Sequence, residues 1–236
     1  MSSKLVHILN AGRTPYREGL NLQRFIANQI IENKWNFQNV LILTEHDPVY
    51  TIGIRTTNYN KEDEERLKKL GADFYRTSRG GLITFHGPGQ LISYPILNLK
   101  NFHQSVRWYV GKIEKSIIDL CKKYDLEAET TKDTGVWIEG NRKICAIGIH
   151  VSRHVTSHGL ALNCNTDLKW FNHIIPCGLE GKEVTSLSKE CKQDVSKDDV
   201  IPNYIDSFEK IFECQTVNID KEEVDEIKRL SKKLEE

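Results

Sequence analysis

The length and order of the apolar runs constrain this chain most. None of them approaches the roughly 18–20 residues that span a bilayer, so a soluble protein with no membrane partner is expected. Most are strand-sized: Leu5–Leu9, Val40–Leu43, Val49–Ile54, Leu82–Phe85, Leu91–Leu97, Gly159–Asn163 and Val184–Leu187. Val136–Ile138 and Ile144–Val151 read as a hairpin across Glu139-Gly140-Asn141. Among them stand segments of helical period. Residues 17–33 place Leu22, Phe25, Ile26 and Ile30 on one face, and residues 104–123 repeat Val106, Val110, Ile113, Ile117 and Leu120. Asn60–Leu70 with Gly71 as C-cap, 203–213 and 221–234 complete the expected helices. No regular βαβ alternation, internal repeat or linker interrupts the pattern. The expected class is α+β: a mixed, largely antiparallel sheet flanked by helices, in one domain over 1–236, with 221–236 a charged terminal helix or tail.

The 236 residues balance at 33 basic and 33 acidic side chains, a formal net charge of zero. The balance is uneven. Residues 74–113 and 140–166 contain no Asp or Glu, where the mean frequency of acids would place about nine. The same windows hold Arg76, Arg79, Lys100, Arg107, Lys112, Arg142, Lys143 and Arg153. Core strands would explain the missing acids. The retained bases favour a positive face toward an acidic partner.

Six cysteines and no C-x-x-C pair in a chain without a secretory signal point to reduced thiols in an intracellular compartment. His150, His154 and His158 would align on a helix, but Ile149, Val151, Val155 and Gly159 among them favour strand and turn, so no metal site is expected. Met1 to Tyr16 is basic and acid-free, faintly like a transit peptide, yet Leu5–Leu9 reads as a first strand and leaves little room for a presequence.

Three constellations carry chemistry. Arg79-Gly80-Gly81-Leu82-Ile83-Thr84-Phe85-His86-Gly87-Pro88-Gly89-Gln90 lets a ligand approach the backbone closely, or is a glycine-rich hairpin turn; it is no Walker loop, lacking the Lys-Ser/Thr. Lys143, in Asn141-Arg142-Lys143-Ile144-Cys145-Ala146-Ile147-Gly148-Ile149, is a surface lysine or a partly desolvated amine able to act as a base. Cys177, between Pro176 and Gly178, sits in a tight turn as a nucleophile would, or is an inert loop thiol.

Together these segments resemble the lipoyl(octanoyl) transferase family. Tyr94-Pro95-Ile96-Leu97, Gly135-Val136-Trp137, Ser157–Asn163 and Thr166-Asp167-Leu168 add to the match, and weaker similarity includes Glu45-His46-Asp47-Pro48-Val49-Tyr50-Thr51-Ile52-Gly53. The resemblance runs from near Tyr16 to about Phe212; the tail Glu222–Glu236 matches no motif of the family. It implies a fold like the catalytic domain of biotin and lipoate protein ligases. It implies transfer of an octanoyl group from octanoyl-acyl carrier protein to a lysine of lipoyl domains, namely those of 2-oxoacid dehydrogenase complexes and the glycine cleavage H protein. Cys177 would carry the acyl group and Lys143 would be the catalytic lysine. Arg79, Gly80, Gly81, His86, Gly87, Gln90, Ile147, Gly148, His158, Gly159, Leu160 and Asn163 would form the substrate site. Backbone N–H groups near Gly159–Leu160 would hold an oxyanion, and Trp137, Ile147 and Leu160 would line an acyl tunnel. No cofactor, metal or nucleic acid is expected. The animal mitochondrial enzymes are the nearest in pattern, implying the mitochondrial matrix, with bacterial cytoplasm as the alternative. An ATP-dependent lipoate or biotin ligase, a cysteine hydrolase and a non-catalytic acyl-binding module are the competing readings.

Overall fold

The computed structural model describes residues 4–55, 59–175 and 181–233. The chain runs β1 (Lys4–Thr14), α1 (Tyr16–Ile31), β2 (Asn39–His46), β3 (Val49–Ile52), α2 (Lys61–Lys68), β4 (Asp73–Arg76), β5 (Thr84–His86) and β6 (Gln90–Leu97). It continues through α3 (Val106–Lys122), β7 (Ala128–Glu129), β8 (Val136–Ile138), β9 (Arg142–Ser152) and β10 (Val155–Asn163). β11 (Glu183–Val184), α4 (Leu187–Cys191), α5 (Lys197–Phe212), β12 (Cys214–Asn218) and α6 (Lys221–Lys232) complete it.

The main sheet has the order β12-β1-β2-β6-β10-β9-β8-β7, with β11 also paired to β9. β12, β1 and β2 run parallel; the pairs from β2 to β7 are antiparallel. Side chains alternate across it, as a period of two requires. Leu41 and Leu43 of β2 join the core under α3 and α5, with Ile117, Leu120, Phe208 and Phe212. Val40 and Ile42 join the opposite core under α1 and α6, with Leu22, Ile26, Val224 and Ile227. Each such fully buried aliphatic side chain contributes about 1.5–3 kcal/mol relative to exposure. The terminal helix is therefore a packed layer: Lys228 Nζ also donates to the Ala11 carbonyl at 2.8 Å.

Three differences from expectation stand out. α5 begins at Lys197, capped by Ser196 Oγ accepting from the Asp199 N–H, because Pro202 fits helical φ early in the helix and forfeits one backbone bond. β4 and β12 are short, partly exposed strands with little apolar signal. The Gly87-Pro88-Gly89 segment is not a hairpin turn. β5 pairs with β3 in a separate small sheet, β4-β3-β5, whereas β6 pairs with β2 and β10 of the main sheet. The glycines carry the chain from one sheet to the other. Gly89 has φ +81°, and a Cβ there would lie 2.8 Å from backbone atoms of Asn165 and Thr166.

Candidate active site

The site lies where the small sheet meets β9 and β10. Gly148 and Gly159 face each other across these strands. The missing side chain of Gly148 lets the 79–82 loop settle on β9: a Cβ there would stand 2.9 Å from the Gly80 carbonyl oxygen and 3.1 Å from Arg79 Cδ, whereas a Cβ at Gly159 would meet the Ser93 carbonyl of β6. The loop is fixed by the Gly80 N–H donating to the Ile149 carbonyl at 3.0 Å. Arg79 is buried, and its fork ties the loop together. Nη1 donates to Gly80 O at 2.9 Å, while Nη2 reaches the Thr51 carbonyl at 2.7 Å, Thr51 Oγ1 at 2.9 Å and Leu82 O at 2.9 Å.

Thr51 starts a relay of buried polar groups. Its Oγ1 lies 3.2 Å from His86 Nε2, and His86 Nδ1 lies 3.2 Å from Gln90 Oε1. Gln90 Nε2 donates to Asn163 Oδ1 at 2.9 Å, and Asn163 Nδ2 to the Thr185 carbonyl at 2.9 Å. Because the Gln90 oxygen only accepts, His86 carries its proton on Nδ1 and accepts a hydrogen bond from the Thr51 hydroxyl at Nε2. Every donor then points the same way along the chain of bonds. The relay holds the small sheet, β6, β10 and the segment after β11 in one register.

Around it stands a wall of neutral rings. Burial holds the His46 imidazole down to about 4, opposed by its bond to the Thr14 carbonyl. Burial, then His46 and Arg79, drive His86 well below its usual value. Burial, then Arg79, lower His158 to about 3. Tyr94 donates to His46 Nε2 at 2.8 Å, and the Tyr16 ring stacks parallel to His86 with centroids 6.2 Å apart. Tyr16, His46, Thr51 and Tyr94 were not singled out as site residues in the sequence. A buried ring with one polar atom reads as core until its partners are known.

Lys143 is buried at the start of β9. Its Nζ donates to the Thr134 carbonyl at 3.2 Å and lies 4.5 Å over the Trp137 ring. Trp137 is locked in turn by its indole N–H on the Asp133 carbonyl at 3.0 Å. Trp137 thus supports the lysine; it is absent from the walls of the cavities described below. Gly135, at φ +128°, passes so close that its Cβ would meet Cys145 O at 2.7 Å and Lys143 Cε at 3.3 Å. β11 pairs Val184 with Lys143, and the Thr185 N–H donates to the Lys143 carbonyl at 2.9 Å. Pro176, Cys177 and Gly178 lie outside the described residues. The five described cysteines are free. Burial pushes the Cys121, Cys164 and Cys214 thiols up to about 12, Cys145 well above its usual value, and Cys191 upward.

Three adjacent spaces that share lining residues fill the site. A narrow cavity of about 40 Å³ is bounded by Arg79, Gly81, His86, Gly148, His158 and Gly159, with Ile147 and Leu160 as apolar wall. A groove of about 390 Å³ shares Gly81, Leu82, Ile147 and Gly148 with it and adds Gly80, Lys143, Arg55 and Lys132. A pocket of about 10 Å³ brings Lys143 to Gln90 and Asn163. The structure thus gathers Arg79, Gly80, Gly81, His86, Gln90, Lys143, Ile147, Gly148, His158, Gly159, Leu160 and Asn163. Gly87 lines none of the three; its Cβ would lie 2.5 Å from the Phe85 ring, so its role is packing. Leu160 pairs with Ile147 on one side and Ser93 on the other, so its N–H is a ladder donor and not a free oxyanion ligand.

The acid-free windows are largely core strands, with every residue of β6 buried. Five of their eight bases are not free to form a positive face. Arg142 pairs with Glu139 at 2.7 Å and Glu190 at 3.0 Å, Lys112 with Glu213 at 3.1 Å and Arg76 with Glu64 at 3.8 Å, while Arg79 and Lys143 are buried.

A sheet with helices on both faces and a glycine-lined cleft running to a buried lysine defines a class, and the sequence places the chain in it. Residues 15–209 match the lipoyl protein ligase A/B catalytic domain, and the chain belongs to that family. It is 54% identical over 211 residues to the Danio rerio octanoyl-[acyl-carrier-protein]:protein N-octanoyltransferase LIPT2, mitochondrial, covering 89% of this chain and 92% of that one. The Homo sapiens protein of the same name is 44% identical over 230 residues, covering 93% and 99%. Among solved structures, a bipartite lipoate protein ligase from Thermoplasma acidophilum superposes with a TM-score of 0.72 at 18% identity over 98% of this chain and 91% of that chain, a likeness of fold.

Proposed function

We propose that this chain transfers an octanoyl group from octanoyl-acyl carrier protein to a lysine of a lipoyl domain, through a thioester on Cys177. The observation that carries this reading is the similarity to relatives named for the reaction, spread over about nine-tenths of the chain. The buried lysine beside a narrow, neutral-walled cavity supports it. Lys143 takes the Cys177 proton, the thiolate attacks the donor thioester carbonyl, a new C–S bond forms as the carrier's C–S bond breaks, and the carrier's sulfur leaves with that proton. The acceptor lysine's amine then attacks the enzyme thioester, an amide bond forms and the Cys177 sulfur departs. Lys143 moves the proton from the attacking amine to that sulfur. The five described thiols, all pushed up by their surroundings, are poor nucleophiles, which favours Cys177. In this reading His86, Gln90, Asn163 and Arg79 hold the cavity's shape, and Ile147, Gly148, His158, Gly159 and Leu160 contact the acyl chain. One domain suffices for both steps. The acceptors in this reading are the lipoyl domains of 2-oxoacid dehydrogenase complexes and the glycine cleavage H protein, and the compartment is the mitochondrial matrix; the relatives' names support the mitochondrial part of this.

Thioester-to-amide transfer is downhill and needs no nucleotide. With octanoyl carrier protein and a lipoyl domain, acylation of the domain is expected without ATP, and free octanoate with ATP should give none. Acylation that requires free octanoate and ATP would instead make the chain a ligase.

A further inference from the structure

The narrow cavity ends on a single side chain. His158 bounds it, and among the described residues of its lining His158 alone also bounds a second space, of about 200 Å³, on the far side. The imidazole is buried between the two and feels Arg79 from one side and Arg24 and His150 from the other. Its backbone is fixed at φ +56°, and its N–H donates to Gln23 Oε1 at 2.7 Å. The ring thus stands as a partition carried on a fixed backbone.

The second space is chemically unlike the first. Gln23, Arg24, Ser78, His150 and Ser157 contribute polar groups to it, and the buried Gln23 Nε2 has no hydrogen-bond partner among the described residues. An alkyl chain driven into it would strip water from these groups without replacing its hydrogen bonds.

The span also fits. His158 pairs with Ile149, six residues along β9 from Lys143, or roughly 20 Å at strand rise. The seven carbon–carbon bonds of an octanoyl chain, staggered at about 1.5 Å each, reach roughly 9 Å. The roughly 11 Å left over would admit about eight further methylenes if all of it were open, so the span bounds the chain length without setting it. The narrow cavity of about 40 Å³ that ends on the imidazole sets it.

We infer that His158 is the stop that sets acyl-chain length, its ring closing the cavity against longer chains and separating it from the polar space behind. This rests on the acyl-transfer reading above. His158 acts on specificity by occupying space.

The test compares kcat/KM for C6, C8, C10, C12 and C14 acyl-carrier-protein donors in the native enzyme, His158→Gly and His158→Asn. Glycine accepts φ +56° freely and asparagine tolerates it, so both variants keep the backbone and its bond to Gln23. Folding of each is checked by thermal melting. In the native enzyme each methylene beyond the limit is expected to cost 10-fold or more, as methylene discrimination in apolar pockets does. In both folded variants the C12:C8 ratio should rise at least about 10-fold, with the smaller glycine giving the larger rise. A C12:C8 ratio within about twofold of native in both variants would overturn the inference, as would loss of C8 transfer with no gain at C12. A native enzyme that transfers no acyl group of any length would overturn the acyl-transfer reading instead.

Discussion

Replacing Gly148 by alanine tests whether close approach of the 79–82 loop to β9 builds the site. The new Cβ would sit 2.9 Å from the Gly80 oxygen, where ordinary contact begins at 3.4 Å, so the loop must retreat by about 0.5 Å. Two bonds resist that movement: the Gly80 N–H to Ile149 O at 3.0 Å and Arg79 Nη1 to Gly80 O at 2.9 Å. Overpacking costs about 1–3 kcal/mol, and weakening a bond from a charged donor adds about as much again. The expected loss is about 2–4 kcal/mol, which in a chain of this size lowers Tm by roughly 5–15 °C. Gly111 is the control: it lies within α3, and its Cβ would meet nothing within 4 Å. Gly111→Ala should raise stability by about 0.5–1 kcal/mol through helix propensity. The assays are thermal melting and steady-state octanoyl transfer, with Gly148→Ala at least 10-fold slower and Gly111→Ala unchanged. If Gly148→Ala melts and turns over like native protein, the loop does not depend on that slot and the geometric argument fails.

The other predictions are shorter. Thr51→Val, at a fully buried position, leaves His86 Nε2 without its donor and should destabilise the fold by about 1–3 kcal/mol in urea melts; an unchanged midpoint would mean the relay carries no energy. For His46, folded at about 4 against 6.5 unfolded, the unfolded chain binds the proton first as pH falls. Its contribution, about 3 kcal/mol by that linkage, is present above pH 6.5 and lost between 6.5 and about 4; His46→Gln should flatten that part of the stability–pH curve, and an equally steep curve would refute the assignment. Lys143→Arg keeps the charge but cannot release a proton near neutrality, so transfer should fall by at least 100-fold if Lys143 relays protons, and native turnover would remove it from the mechanism.

How much of this was legible depended on the range of the interaction. The 3.6-residue period placed α1 and α3 to within about two residues, and the Glu139-Gly140 turn placed the β8–β9 hairpin, where both residues have positive φ. These are local signals. The destination of β5 and β6 was not local: nothing in Gly87-Pro88-Gly89 states that the flanking strands join different sheets, since that depends on partners more than 30 residues away. The charge windows misled for the same reason, because Glu190, Glu213 and Glu64 reach in from distant segments. At the site, glycines and charged residues stood out in the sequence. Thr51, Tyr16, His46 and Tyr94 did not, as their roles come from partners 35 or more residues away: His86 for Thr51 and Tyr16, and Tyr94 for His46.

The central claim is that Cys177 carries the acyl group. Intact-mass measurement after incubation with octanoyl-acyl carrier protein, with no acceptor present, tests it most directly. The account predicts one octanoyl adduct per chain that is removed by hydroxylamine and mapped by peptide digestion to Cys177, with no thioester adduct in Cys177→Ala. An adduct of the same lability on Cys177→Ala, or transfer to the lipoyl domain at native rate by that variant, contradicts it.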